Sequence, residues 1–387
     1  MERNLPRYLL ALAWLVLPAA ARAADDGKPQ TGSFQIHIPQ RSKNTDMVSL
    51  CARLGWGTKA QLEAAAKKNG TETDYNLADE SFEVFVPDDY DGKEPYGLIV
   101  WISPGPTGGV HGPWLDVLRK HKLMWIGANK SGNDRTPWVR LALAIDGLEY
   151  MEKAYKVDSN RVYASGASGG GRCASTLAFG FPELITGGGY PIIGINFYRR
   201  VEVGPAAGGG TELYPQGLKP PPGKLAQVMK KERRWVLLTG DNDMNRKETQ
   251  LYSEAMKKDG FRYMTYIQVP GMGHQPPNAE WFEKGIVALD APLSAEAKGE
   301  QPAEAKKPEA KAPVTAAATT PKPPPPPAPA AQAEGDEADK LMRLARLYVD
   351  NRLYKKAREK LNELIKDYPS SPHVAEAKKL LKEIGPN

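Results

Sequence analysis

Three side chains in this sequence have the types that nucleophilic catalysis needs, in an order that fits one arrangement. Ser168 stands in "VYASGASGGGR" (Val162 to Arg172), where an apolar run leads into Gly-Ala-Ser-Gly-Gly and a helical pattern, "RCASTLAFG", follows. A strand–turn–helix of this kind forces the serine into strained backbone and projects its hydroxyl, while the glycines keep clear of neighbouring strand and helix. A glycine-rich phosphate-binding turn is the competing reading, but the lysine of such a loop is missing. A serine needs a base. Of the five histidines, His37 falls in a polar N-terminal stretch, His121 in the charged "LRKHK" and His373 near the C-terminus. His274, in "VPGMGHQPP" just past the last apolar run, is the one placed to face the serine turn, and we assign it the base. His111, in a glycine-rich loop, is read as an oxyanion-loop or substrate residue, and Arg172 as a substrate contact.

An acid should orient the imidazole. "VLLTGDNDMN" offers Asp241 and Asp243 between serine and histidine, the order Ser, Asp, His; Asp243 is preferred and Asp241 is the second choice. The same stretch mimics the start of a calcium loop. Arg246 stands where that loop needs glycine and Tyr252 where it needs glutamate, so no metal is expected. An oxyanion hole requires two donors. Gly169 N–H supplies one, and the loop "SPGPTGGVHG" after the first apolar run should supply the other. Pro104 and Pro106 have no N–H, which leaves Gly105 or Thr107.

Positioning these groups takes a set of buried strands. Apolar runs without polar alternation, "LIVWIS" (98–103), "LMWIGAN" (123–129), "RVYASG" (161–166), "PIIGINF" (191–197), "RWVLLTG" (234–240) and "YMTYIQV" (263–269), suit strands covered on both faces. "SFEVFVP" alternates and meets a proline, which predicts an outer strand. Leu141, Ala144, Ile145, Leu148, Met151 and Tyr155 share one face of an amphipathic helix. Strand alternating with helix predicts an α/β fold with a mostly parallel sheet.

The 387 residues exceed one typical domain. Arg3 and Arg7, a short apolar run and "ARA" (21–23) predict a signal peptide over 1–23; no segment is long and apolar enough to span a membrane. A polar N-terminal extension with one helix follows (24–80), residues 24–45 being read as loose, and then the main domain (81–290). Residues 291–337, with "PKPPPPPAP", cannot build a core and predict an extended linker. Residues 338–387 regain helical periodicity, and the 34 residues from Ala338 to Ser371 resemble a tetratricopeptide repeat, or else form a small helical cap. This tail carries twelve Lys or Arg against seven Asp or Glu. Its +5 makes up most of the net charge of +6, and the near-neutral main domain argues against a nucleic-acid role. Cys51 and Cys173 pair or remain buried thiols; both readings stand.

With strand, "GASGG" turn, "TGDND" and "GMGH" in this order, residues 80–290 resemble the α/β-hydrolase superfamily, and within it the secreted poly(3-hydroxybutyrate) depolymerase-like and feruloyl-esterase-like branch. The resemblance implies an α/β-hydrolase fold, with a small all-α unit C-terminal to it. It also implies Ser168 as nucleophile, His274 as base and Asp243 as orienting acid, without a cofactor. The sequence departs from that branch where "SPGP" replaces the usual His-Gly pair. The expected function is a secreted or periplasmic serine hydrolase acting on an ester of unspecified class, with a protein or cell-envelope partner for residues 338–387. The other reading is a ligand-binding scaffold that keeps the fold without the catalysis.

Overall fold

The computed structural model describes residues 28–205, 211–297 and 354–385, together with Ala338, Leu341, Met342 and Ala345. The expected signal peptide, and the expected linker beyond Ala297, lie outside the described residues. The strands are β1 (Gly32–Ile36), β2 (Phe82–Val86), β3 (Tyr96–Ile102), β4 (Leu123–Ala128), β5 (Val157–Ala167), β6 (Gly188–Ile192), β7 (Val201–Pro205), β8 (Thr211–Tyr214), β9 (Arg234–Gly240) and β10 (Tyr263–Val269). Eight of them form one sheet in the order β1-β2-β4-β3-β5-β6-β9-β10, while β7 and β8 pair as a separate hairpin. From β4 to β10 the pairings are parallel; β1 and β2 make an antiparallel edge.

The period-two geometry of the strands divides the core between two faces. Leu98, Val100 and Ile102 of β3, Met124 and Ile126 of β4, and Trp235 and Leu237 of β9 pack on one side. Ile99, Trp101, Trp125, Val236 and Leu238 pack on the other. The first side is covered by helices α1 (Met47–Leu54), α4 (Pro137–Ala154) and α5 (Gly169–Gly180), the second by α3 (Leu115–Lys120) and α8 (Ala279–Ala297). On the second side Trp101 stacks on Trp125 at 4.9 Å, and Trp114 on Phe282 at 4.0 Å. Helix α2 (Lys59–Asn69) begins with a Thr58–Gln61 capping box and stops at Gly70 in the left-handed region, φ 62°. Helices α6 (Gly223–Lys231) and α7 (Arg246–Lys258) flank β9 in the chain. A mostly parallel sheet covered on both faces, with the serine turn after β5, is the expected α/β-hydrolase fold.

The structure revises several expectations. Strand β1 completes the edge of the sheet, and Leu50, Cys51 and Leu54 of α1 lie in the first core, so residues 32–80 belong to the main domain rather than to an extension. β2 is accordingly not outermost. Helix α4 is buried from Val139 to Leu148 on every side, because the N-terminal segment covers what would have been its polar face. There Asp146 accepts from Ser42 N, Thr45 Oγ1 and Tyr75 Oη. The strand expected at 191–197 is β6, displaced toward "GGYPI": a Cβ at Gly189 would lie 2.5 Å from the Trp235 ring, so packing demands glycine where strand propensity disfavours it. Helix α8 runs through the expected boundary at Asp290 to Ala297. Asp290 is held by Arg161, at 2.6 Å, and by Tyr163 Oη. Cys51 and Cys173 are buried and free, and burial raises the Cys51 thiol to about 11.

At the C-terminus, α9 (Tyr354–Asp367) and α10 (Val374–Ile384) pack together, and Leu341, Met342, Ala345, Leu361, Leu364 and Ala377 form an apolar cluster of their own. Among the described residues no helix is long and apolar enough to cross a membrane.

Candidate active site

Ser168 caps the junction of β5 and α5 with φ 53° and ψ −121°, a conformation L-residues rarely adopt and one that costs on the order of 1–3 kcal/mol. Its surroundings hold it there. Ser168 N donates to Ile192 O at 2.9 Å, and its carbonyl accepts from Arg172 N at 3.0 Å. A Cβ at Gly170 would lie 1.9 Å from Ile102 O, and one at Gly194 would lie 2.4 Å from Ser168 O. The glycines therefore let three chain segments close around the serine.

His274 reaches the serine from the turn after β10, which opens with Gly271 at φ 69°. That turn lies on the end of β9: Asn242 N donates to Met272 O at 3.1 Å, and a Cβ at Gly240 would lie 1.9 Å from the same oxygen. His274 Nε2 is 2.8 Å from Ser168 Oγ and Nδ1 is 2.7 Å from Asp243 Oδ1. A carboxylate only accepts, so the network assigns the proton to Nδ1 and leaves Nε2 to accept from the hydroxyl. The Asp243 side chain is 0% exposed and that of His274 15%. Burial of this carboxylate is offset by donors: Thr239 Oγ1 at 2.5 Å on Oδ2, and Asn245 N at 3.2 Å on Oδ1. Asn245 Nδ2 also donates to Ile193 O at 2.8 Å, tying the acid's turn to the segment beside Ser168.

Of the two aspartates considered, Asp243 is the one brought to His274. Asp241 instead makes main-chain bonds to Val269 and Arg246. Arg172, expected to touch substrate, is held by Ile195 O at 2.8 Å and by both carboxylate oxygens of Glu248. Burial opposes its charge, but the Glu248 bonds keep its pKa above the usual value. It clamps α5 to α7. His111 is exposed and sits edge-on to Trp114 at 5.4 Å.

On the oxyanion side the two expected sources of donors differ in how they are engaged. Gly169 N–H opens α5, where the helix dipole favours negative charge. Gly105 N–H, by contrast, donates to Ser103 Oγ at 3.1 Å, so that amide is engaged within its own loop. Thr107 is exposed and its hydroxyl accepts from Gly109 N at 3.2 Å. The loop is fastened to the one after β4: Lys130 N donates to Pro106 O at 2.6 Å, and Asn133 N to Pro104 O at 3.0 Å. Arg140, 4% exposed, donates to Ser103 O at 2.7 Å and Ser131 O at 2.9 Å. Thr239, Asn245, Asn133 and Arg140 escaped the sequence reading. Thr239 and Asn245 stood within "VLLTGDNDMN", a motif already in view. Behind the His274 turn is a cavity of about 210 Å³ lined by Met272, Gln275 and Trp281, among others. Among the described residues no cluster of three or more metal-ligating side chains occurs.

No protein-family model matches the chain, and no curated protein matches it. Solved structures similar to it include a thermostable esterase, at 15% identity and TM-score 0.37, covering 56% of this chain and 59% of that one. The match thus spans less than two thirds of that esterase's length. Another is the Est2 esterase of Thermogutta terrifontis, at 17% identity and TM-score 0.39, covering 60% and 92%. A third is LpqC, the poly(3-hydroxybutyrate) depolymerase from Bordetella parapertussis, at 17% identity and TM-score 0.35, covering 58% and 85%.

Proposed function

We propose that the chain is a serine hydrolase of carboxylic esters. The observation that carries this reading is the unbroken chain Ser168 Oγ, His274 Nε2, His274 Nδ1, Asp243 Oδ1, with contacts of 2.8 and 2.7 Å, on a serine at φ 53°. Ser168 Oγ attacks the ester carbonyl carbon as His274 Nε2 takes its proton. The carbonyl π pair moves onto oxygen, facing Gly169 N–H. Collapse breaks the C–O bond to the alcohol, which leaves with the proton from His274. Water, deprotonated by the same nitrogen, then attacks the acyl-enzyme and releases the acid. Asp243 stays ionised throughout and stabilises the imidazolium.

Hydrolysis of short p-nitrophenyl esters tests the reading. Ser168→Ala should lower turnover by on the order of 10⁶ with the fold intact, since the triad acts as a unit. Turnover unchanged in this variant removes the hydrolase reading at this site. The other reading, a ligand-binding scaffold, draws on one observation, the engagement of Gly105 N–H by Ser103 Oγ; it requires the wild-type chain to be inactive on every ester. Two further expectations complete the proposal. Residues 1–23 direct the chain to a secreted or periplasmic location. The basic residues of 338–387, as a tetratricopeptide-like unit, contact an acidic protein or the cell envelope.

A further inference from the structure

We propose that Asn245 is a positioning residue that locks the acid's turn to the nucleophile's by holding Ile193 in left-handed backbone. The inference rests on the serine-hydrolase reading and gives a catalytic reason for a strained residue outside the triad. Ile193, directly after β6, has φ 49° and a buried side chain in the second core. A β-branched residue in that region is a rare outlier, and such strain persists only where the surroundings impose it. The two peptide groups that flank its Cα are each fixed by one bond. Ile193 N donates to Leu238 O at 2.7 Å, and Ile193 O accepts from Asn245 Nδ2 at 2.8 Å. A carbonyl only accepts, so the carboxamide presents its N–H here.

The segment held in this way touches the nucleophile. Ile192 O accepts from Ser168 N at 2.9 Å. A Cβ at Gly194 would lie 2.4 Å from Ser168 O, and one at Gly171, in the first turn of α5, 2.4 Å from Gly194 O. Relaxation of Ile193 to negative φ turns one flanking peptide group relative to the other, so Ile192 O and Gly194 cannot both keep their places on Ser168. Asn245 meets the acid at the same time. Its N–H donates to Asp243 Oδ1 at 3.2 Å, the oxygen that His274 Nδ1 bonds. Asn245 stands at the N-cap of α7, where an asparagine side chain ordinarily accepts from the helix amides, yet within the described residues it caps none of them. One residue thus fixes the acid through its main chain and the nucleophile's neighbour through its side chain, and so sets the gap that His274 bridges.

The test measures kcat and KM for p-nitrophenyl butyrate, the rate of fluorophosphonate labelling at Ser168 and the melting temperature. It compares the full chain with Asn245→Leu, Ile193→Gly and the double variant. Leucine keeps the size of asparagine without its donor. Asn245→Leu should lose ~10–10² in kcat and label more slowly, with KM within about threefold, because a shift of the reacting groups acts on the transition state. Glycine adopts φ 49° without strain, so the same replacement in the Ile193→Gly background should lose roughly fivefold less than in wild type. An equal loss in both backgrounds means that Asn245 acts on Asp243 alone and overturns the proposal. A change confined to KM or to the melting temperature overturns it too. If Asn245→Leu does not fold, Asn245→Asp replaces it: ionised aspartate also lacks the donor, and the charge it adds near Asp243 is common to both backgrounds, so the two losses are compared in the same way. Failure of both to fold makes the residue structural and again overturns the proposal. In each of these outcomes wild type still hydrolyses the ester and labels at Ser168, so the hydrolase reading survives. Wild type that does neither removes both.

Discussion

The two halves of the site are built by different means. On the acid–base half, His274, Asp243 and Thr239 are side chains bonded to one another at 2.5–2.7 Å, with the carboxylate fully enclosed. On the oxyanion half, expectation rested on main-chain amides, and the loop after β3 spends its Gly105 amide on its own Ser103. Side-chain chemistry is carried by residue type and follows from a sequence. Main-chain donors are set by backbone direction, which "SPGP" does not reveal. That loop and the one after β4 are stapled by Arg140 and Arg135, through bonds to Ser103, Ser131 and Glu80.

The comparison breaks most sharply at the acid. Asp243→Asn should favour the wrong imidazole tautomer and lower kcat by up to ~10⁴ with little change in the fold, whereas Asp241→Asn should cost little. Steady-state rates on one ester decide it; a larger loss from Asp241→Asn would reassign the acid.

A paired substitution of two guanidinium groups, one on each side of the site, sharpens the contrast. Arg172→Met leaves Glu248, 10% exposed, without its partner, and should destabilise by about 2–3 kcal/mol, less than a fully buried pair because Arg172 is a third exposed. Arg140→Met leaves the Ser103 and Ser131 carbonyls without donors, with a loss of about 1–3 kcal/mol. If the oxyanion half depends on its loops, Arg140→Met lowers kcat at least tenfold more than Arg172→Met, by a rough allowance of about 1.4 kcal/mol in the barrier. Denaturant melts and rates on the same samples separate the two effects, and equal rates would show that both arginines serve stability alone.

The smallest effect is expected from the tail. A chain ending at Ala297 retains α8 whole, and among the described residues the buried apolar ones it removes, Leu341, Met342, Ala345, Leu361, Leu364 and Ala377, belong to the separate C-terminal cluster. Its ester hydrolysis should match the full chain within about twofold, and its melting temperature should fall by no more than about 2 °C, since among the described residues none beyond Ala297 belongs to the two main cores. A drop of about 10 °C would mean that the helices complete the hydrolase core.

Much of the frame was legible in the sequence. Runs such as "LIVWIS" are apolar on both faces because β3 is covered on both faces, and "GASGG" permits one sharp turn. The edge was harder to read. "SFQIHI" alternates as β1 does, but polar flanks hid its partner, β2, 50 residues away in sequence. The helix at 137–154 shows an apolar face in sequence, yet its other face is buried by the same N-terminal segment, through polar contacts such as Asp146 with Ser42 and Tyr75. Strand β6 was displaced because its glycines answer to Trp235 and Arg234 across the sheet rather than to local propensity. Arg172 read as a substrate contact because its sequence neighbours the serine, while its partner, Glu248, comes from another helix.

The central claim is that Ser168 is a nucleophile activated by His274. Mass-spectrometric mapping of a fluorophosphonate adduct on the folded chain tests it most directly. The account predicts one adduct, on the peptide carrying Ser168, absent in Ser168→Ala and formed far more slowly in His274→Ala. A folded wild-type chain that takes up no label, or takes it up on a different residue, would contradict it.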